Sequence, residues 1–221
     1  MSSRARLTKP FCRSAIFLGG PWFCSIFQLP QRFQIVNSLS PLQAGFRLIP
    51  FTLAAPIGSI VSAALAKAAK IPPLYWVIFA SVLQVIGFSL LSTVSNSHDI
   101  PAAQYGYQVI AGFGCGINIS LLLVMIPFRF RVMGGVIGLA IVTSAFNGLI
   151  KSRLGDLISS SELDALLKSP ELMSSFPADI QETIRSTFGD GYTLQIKILA
   201  GLAAGQIPSA MLMWEKEHIM I

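Results

Sequence analysis

The side chains that could do acid–base or metal chemistry are scarce in this sequence. Its two histidines are His98 and His218, no H-E-x-x-H pattern occurs, and no Asp or Glu lies within a long apolar run. Cys12, Cys24 and Cys115 include no C-x-x-C pair, which argues against a zinc site or a disulfide framework. Catalysis by a nucleophile or a metal would need such a cluster. We therefore expect no enzyme, no metal and no other cofactor.

Polar groups do occur inside the apolar runs, and these are the residues that a small molecule could contact. Our candidates for a substrate path are Arg47, Gln84, Asn118, Asn147 and Gln206. Arg47 and Lys197 are the only cations that we expect to be embedded, and for both we favour a side chain that reaches the interface over substrate contact. For any one of the amides, a hydrogen bond between helices is the stronger alternative.

The composition indicates that the elements holding these residues lie in a membrane. Hydrophobic residues make up 53% of the chain and charged residues only 12%, and the mean hydropathy is +0.66. Soluble domains carry about 25% charged residues. The net charge of +6 comes from cations that separate apolar runs, so no basic face is available for phosphates. We expect the lipid bilayer as a partner and exclude nucleic acid.

Six stretches have the character of a membrane-crossing helix, which needs about 20 mainly apolar residues. They are residues 14–31, 48–66, 71–97, 100–128, 132–150 and a final run, 198–214, that extends back toward Tyr192. The predicted fold class is therefore an all-α integral membrane protein with a six-helix bundle. We divide the chain into a cytoplasmic N-terminal segment (1–13), five transmembrane helices (14–150), an extramembrane loop (151–190), a sixth transmembrane helix (191–214) and a cytoplasmic tail (215–221).

The segment 151–190 differs in kind, because it carries seven acidic and four basic side chains. Ser159 and Glu162 form the S-x-x-E pattern of a capped helix that would run through Lys168, and Pro177 is suited to the first turn of a second helix. Three apolar residues share a face of this second helix: Ile180, Ile184 and Phe188. We expect two amphipathic helices on the membrane surface or over the bundle. A solvated loop with fraying helices is the alternative.

The cations of the short loops predict the orientation. Four Lys and Arg precede the first span, and the turns around Lys67 and Arg129 carry two cations each, all on one side of six alternating helices. By the positive-inside rule both termini are cytoplasmic, and we expect the plasma membrane. Lys151 and Arg153 lie on the other side and count against this orientation, although long loops obey the rule less strictly.

Glycines spaced four residues apart recur in the spans. The pairs are Gly112 with Gly116, Gly134 with Gly138, and Gly201 with Gly205. In lipid, where hydrophobicity does not drive helices together, small residues let two backbones approach closely. The pattern therefore predicts three pairs of helix-packing glycines in a compact bundle.

Three stretches, residues 29–51, 130–141 and 176–214, resemble the C-terminal half of transporters in the fungal multidrug and mycotoxin efflux branch of the major facilitator superfamily. The resemblance implies a proton-driven exporter of small, often apolar compounds that works by rocking two six-helix halves around a central cavity. This chain would form one wall of the substrate path. Its partner would be a missing N-terminal six-helix half or a second copy.

One departure from the family pattern concerns Pro127 to Arg131, which alone join the fourth and fifth spans. A crossing of this kind takes roughly a dozen residues, so the short join indicates a deletion or a gene-model error. The alternative to a carrier is a truncated, non-transporting membrane fragment with at most a helix-packing or assembly role.

Overall fold

The computed structural model describes residues 3–69, 73–94, 96, 100–125, 128–155, 157–168, 172 and 175–211. Within these ranges the chain forms seven helices and no strand. Six are long: α1 (Ser3–Ile35), α2 (Pro41–Ala69), α3 (Pro73–Ser92), α4 (Ala103–Met125), α5 (Phe128–Leu154) and α7 (Ala178–Met211). The short helix is α6 (Ser160–Lys168). The predicted all-α fold class is confirmed. The join at Pro127 falls partly outside the described residues.

Each long helix overlaps one of the six predicted spans. Within the described residues, three stretches are long and apolar enough to cross a membrane by length and composition: Pro41–Leu65, Leu74–Ser92 and Gly134–Leu154. Only 33 to 39% of the most apolar part of each stretch is buried inside the chain, so much of this part faces outward. Outward-facing apolar surface of this extent is stable in lipid and costly in water. The other three crossings stay a prediction.

The last long helix differs from its prediction, because no break separates the loop from the final span. α7 runs without interruption from Ala178 to Met211, so the second amphipathic helix and the last span are one element. The predicted apolar face packs against the bundle: Ile184 and Phe188 are buried, and the Phe188 ring lies edge-on to Phe146 of α5 at a centroid distance of 5.5 Å. α5 likewise continues to Leu154.

Asp190 and Gly189 were assigned to the loop, yet together with Gly191 they make contacts between elements. The Asp190 carboxylate accepts hydrogen bonds from Arg153 of α5 and, at 3.1 Å, from the Asn96 amide. A Cβ on Gly189 would lie 2.6 Å from the Asn96 side chain, and one on Gly191 would lie 2.6 Å from the Phe146 ring. Glycine is therefore needed here for close approach, and the helix continues through it.

Two helices begin with reciprocal caps. At α6 the Ser159 N–H donates to the Glu162 carboxylate at 3.1 Å, and the Glu162 N–H donates to the Ser159 hydroxyl oxygen at 3.3 Å, as the S-x-x-E pattern predicts. The Ser159 hydroxyl also donates to Glu162, and these bonds hold the pKa of its carboxyl below the ordinary value. At α2, Ser40 and Gln43 exchange the equivalent bonds at 3.3 Å each.

Close contact between α2 and α4 depends on the first glycine pair. A Cβ on Gly112 would collide with the main-chain oxygen of Phe51, and one on Gly116 would collide with that of Ala55. The Ser59 hydroxyl uses the same proximity to donate to the Gly116 carbonyl at 2.8 Å. Without a side chain at these two positions, the helices pack backbone to backbone.

The second pair brings α5 against α1. Gly134 and Gly138 are both buried, and a Cβ on Gly138 would lie 2.6 Å from the Cα of Gly20. Two glycines facing each other from different helices allow the shortest separation that backbones can reach. This contact places α1 and α5 side by side within their predicted membrane spans.

The two glycines of the third pair, Gly201 and Gly205, have different surroundings. A Cβ on Gly205 would meet the Phe17 ring of α1 at 3.0 Å, so this position lies in a helix contact. Gly201 is exposed, and within the described residues a Cβ there would meet nothing within 4 Å. The structure therefore does not place Gly201 at a packing position, because its side of α7 faces away from the bundle.

Candidate functional site

Three of the predicted substrate-path residues lie in one buried hydrogen-bond network. Its centre is Gln206 of α7, whose Oε1 accepts from Asn118 Nδ2 at 2.8 Å and from the Ser81 hydroxyl at 3.0 Å. The Gln206 Nε2 donates to Gln84 Oε1 at 3.1 Å and to the main-chain oxygen of Phe17 at 3.0 Å. The network therefore joins α1, α3, α4 and α7, whose spans the sequence separates widely.

This network is closed to solvent. Its four side chains are at most 2% exposed, and all of them are uncharged. Ser81 was not among the predicted residues, although its spacing of three from Gln84 puts both on one face of α3. This is the geometry of hydrogen bonds between helices, which was the alternative interpretation for these amides. Substrate contact by Gln84, Asn118 or Gln206 stays a prediction.

Arg47 lies apart from the network. Its side chain is half-buried in α2, and its guanidinium donates a hydrogen bond to the Tyr105 hydroxyl of α4. This contact links the second turn of α2 to the first turn of α4, two helices that also meet at the first glycine pair. Lys197, the other predicted embedded cation, is exposed on α7.

Among the described residues the buried cation is Arg32, which directly follows the predicted first span of residues 14–31. Its side chain is 3% exposed, and its guanidinium donates to the main-chain oxygen of Val94 at 3.2 Å. Arg32 occupies the last turn of α1, where a cation interacts favourably with the helix dipole. The embedding of Arg47 and Lys197 in the bilayer stays a prediction, and Arg32 joins them as a cation that is buried within the chain.

Asn147, the fifth predicted residue, lines a groove of ≈ 300 Å³ between α1, α5 and α7, with Leu167 of α6 at its edge. Five uncharged polar residues line this groove: Gln28, Gln31, Thr143, Asn147 and Gln195. The other described lining residues are aromatic or aliphatic, and none of them is charged. The groove has the mixed character of a small-molecule site, with a few polar groups on an apolar wall.

Gln28 and Gln195 also line a second, inner cavity of ≈ 10 Å³, close to the least space that holds one water. Its other polar residues are Ser25, Arg32 and Tyr192. The two glutamines thus stand between the groove and the interior of the bundle. Sequence reasoning missed both, although they satisfy the criterion that selected Gln84, an amide within an apolar run.

Comparisons with known proteins agree on one class. No family model matches the chain. The MFS-type transporter FPY5 of Fusarium mangiferae is 30% identical over 219 residues, which are 92% of this chain and 37% of the relative. The MFS-type transporter astH of Aspergillus oryzae is 24% identical over 92% of this chain and 38% of its own length. The MFS acetylaranotin efflux transporter ataA of Aspergillus terreus is 27% identical over 79% of this chain and 41% of its own length.

These relatives are all named as transporters, and none is named as an enzyme. The chain spans about two fifths of the length of each. A segment of that size fits one six-helix half of a carrier built from two such halves.

Proposed function

Because the chain is related over nearly its whole length to fungal transporters of the major facilitator superfamily, we propose that it forms one six-helix half of a membrane carrier that exports small molecules. The observation that carries this proposal is the similarity over 92% of the chain to proteins named as transporters. Alternating access needs a second half to rock against. The partner is an N-terminal six-helix half or a second copy of this chain.

The internal contacts support such a role, because a half that rocks as one body must hold its helices together. Gly112 and Gly116 bring α2 against α4, and Gly138 brings α5 against α1. Gln206 then ties α7 to α1, α3 and α4 through hydrogen bonds. Every long helix is thus fixed to at least one neighbour by a contact that tolerates little sliding.

Proton coupling would have to come from the partner half. None of the six predicted spans contains an Asp or Glu, so this chain supplies no acidic relay within the bilayer. The network around Gln206 consists of amides and a hydroxyl, which do not titrate in the physiological range. We place both termini in the cytoplasm, as the cation distribution predicts, and propose the plasma membrane as the location of the carrier.

Flux through reconstituted vesicles tests the proposal. The full chain would be incorporated into liposomes alone and together with the N-terminal half of a related fungal transporter, and export of a neutral fluorescent dye would be followed with and without a pH gradient. We expect gradient-dependent flux only when both halves are present, with the N-terminal half alone as the control. Absence of flux from the paired halves would favour the alternative, a non-transporting membrane protein with an assembly role.

A further inference from the structure

The groove between α1, α5 and α7 contains buried polar atoms that the protein itself does not satisfy. Gln28 is 6% exposed, and neither its Oε1 nor its Nε2 has a hydrogen-bond partner in the described part of the chain. Gln195 is 3% exposed, and its Oε1 likewise has none there. Both side chains line the groove. One donor group and two acceptor groups therefore stand at its wall without a protein partner among these residues.

Such atoms reduce the stability of the folded state. A buried amide loses its hydrogen bonds to water, and without a new partner nothing compensates for that loss. Native structures leave few of them, and each needs an explanation. Gln108 of α4 also leaves both amide atoms without a partner among the described residues, but it lines neither cavity, so the groove is what distinguishes Gln28 and Gln195. For the unpaired atoms of Gln28 and Gln195 we take the explanation to be a molecule that occupies the groove and supplies their hydrogen-bond partners.

The lining restricts what the occupant can be. None of the described residues that line the groove is charged, so a carboxylate or an ammonium group would lose hydration there without gaining a counter-charge from them. Phe27, Leu139 and Phe146 provide an apolar wall, while Asn147 and the two glutamines offer donors and acceptors. The volume of ≈ 300 Å³ lies at the lower end of the range for small-molecule sites.

We propose that this groove is a binding subsite for a neutral organic molecule that carries a carbonyl and an N–H or O–H on an apolar frame. The carbonyl accepts from the Gln28 amide, and the N–H or O–H donates to Gln195 or Gln28. This inference deepens the proposed function and rests on it, because a carrier would bring a small molecule to the groove. Ordered water alone is the competing occupant, since the adjoining inner cavity has space for about one.

Direct binding to the full chain in lipid nanodiscs tests the subsite without requiring transport. The probe is 7-methoxycoumarin-3-carboxamide, a neutral fluorescent molecule with a ring carbonyl and an amide, and its carboxylic acid analogue is the charged comparison. Binding would be followed by fluorescence anisotropy against empty nanodiscs. We expect saturable binding of the amide and an affinity for the acid that is lower by roughly tenfold or more, because the carboxylate must be desolvated.

The variants Gln28→Met and Gln195→Met keep the side-chain length and remove its hydrogen-bonding atoms. Each should weaken binding of the amide by about tenfold, the scale of one hydrogen bond. Gln108→Met is the matched control: Gln108 is fully buried in α4, both of its amide atoms lack a partner in the described part of the chain, and it lines neither cavity. Its affinity should equal that of the unmodified chain.

The proposal is overturned by a lack of saturable binding, by equal effects at Gln28 and Gln108, or by tighter binding of the acid than of the amide. Unchanged affinity in all three variants would identify water as the occupant and overturn it as well. Because binding is measured without flux, a chain that binds the amide but supports no export would contradict the proposed function and leave the subsite standing. If the chain supports export but the Gln28 and Gln195 variants bind the amide unchanged, the proposed function stands and the subsite is contradicted.

Discussion

Replacing Gln206 by Met should loosen the bundle, because one side chain serves four hydrogen bonds between helices. Its Oε1 accepts from Asn118 and Ser81, and its Nε2 donates to Gln84 and to the Phe17 carbonyl. Hydrogen bonds between membrane helices contribute about 0.6 kcal/mol each, so Gln206→Met should lower the free energy of unfolding by about 2.4 kcal/mol. That loss corresponds to roughly a 50-fold change in the unfolding equilibrium.

The measurement is reversible unfolding of the purified chain in bicelles, followed by tryptophan fluorescence as denaturing detergent is added. Gln108→Met is the control, because it removes an equally buried amide that has no partner within the described residues and should leave stability unchanged or slightly higher. Equal unfolding midpoints for Gln206→Met and Gln108→Met would refute the reasoning. They would show that the network adds nothing beyond the packing of its side chains.

Two further predictions concern the helix contacts and caps. Gly116→Ala should destabilise the bundle by about 1–3 kcal/mol, since its new methyl group collides with the Ala55 main-chain oxygen, whereas Gly201→Ala should stabilise α7 by about 0.5–1 kcal/mol in the same unfolding assay. Similar effects of the two substitutions would contradict this. The lowered pKa of Glu162 means that its cap on α6 is complete above the ordinary carboxyl pKa and is lost as pH falls through the lowered value. Amide exchange in α6 should therefore rise, relative to the intrinsic rate, on acidification, and Glu162→Gln should remove this dependence, because glutamine still accepts the bond to the Ser159 N–H.

The long helices and the α6 cap could be predicted because their causes are local. An apolar run bounded by charges specifies a helix of membrane length, and the spacing of Ser159 and Glu162 specifies a reciprocal cap. Gly112 and Gly116 were also visible, because a spacing of four places both on one helix face.

What could not be predicted depends on how distant segments meet. Gln84 and Gln206 are 122 residues apart, and nothing in their spacing shows that they share a hydrogen bond. Gly201 has the same spacing as the packing glycines but faces away from the bundle, which only the rotation of α7 determines. Arg32 looked like the end of a span because it is charged, yet the neighbouring Val94 carbonyl allows it to be buried.

The proposed function rests on six membrane crossings, and the sides on which three positions lie test the topology that six crossings predict. In a chain whose native cysteines have been replaced by serine, single cysteines would be introduced by Ser2→Cys, Leu172→Cys and Ile221→Cys and labelled with a membrane-impermeant maleimide in sealed cells. We predict that only Leu172→Cys is labelled from outside, while Ser2→Cys and Ile221→Cys react after the membrane is permeabilised. Labelling of either terminal cysteine from the same side as position 172 would contradict a six-crossing half of a carrier.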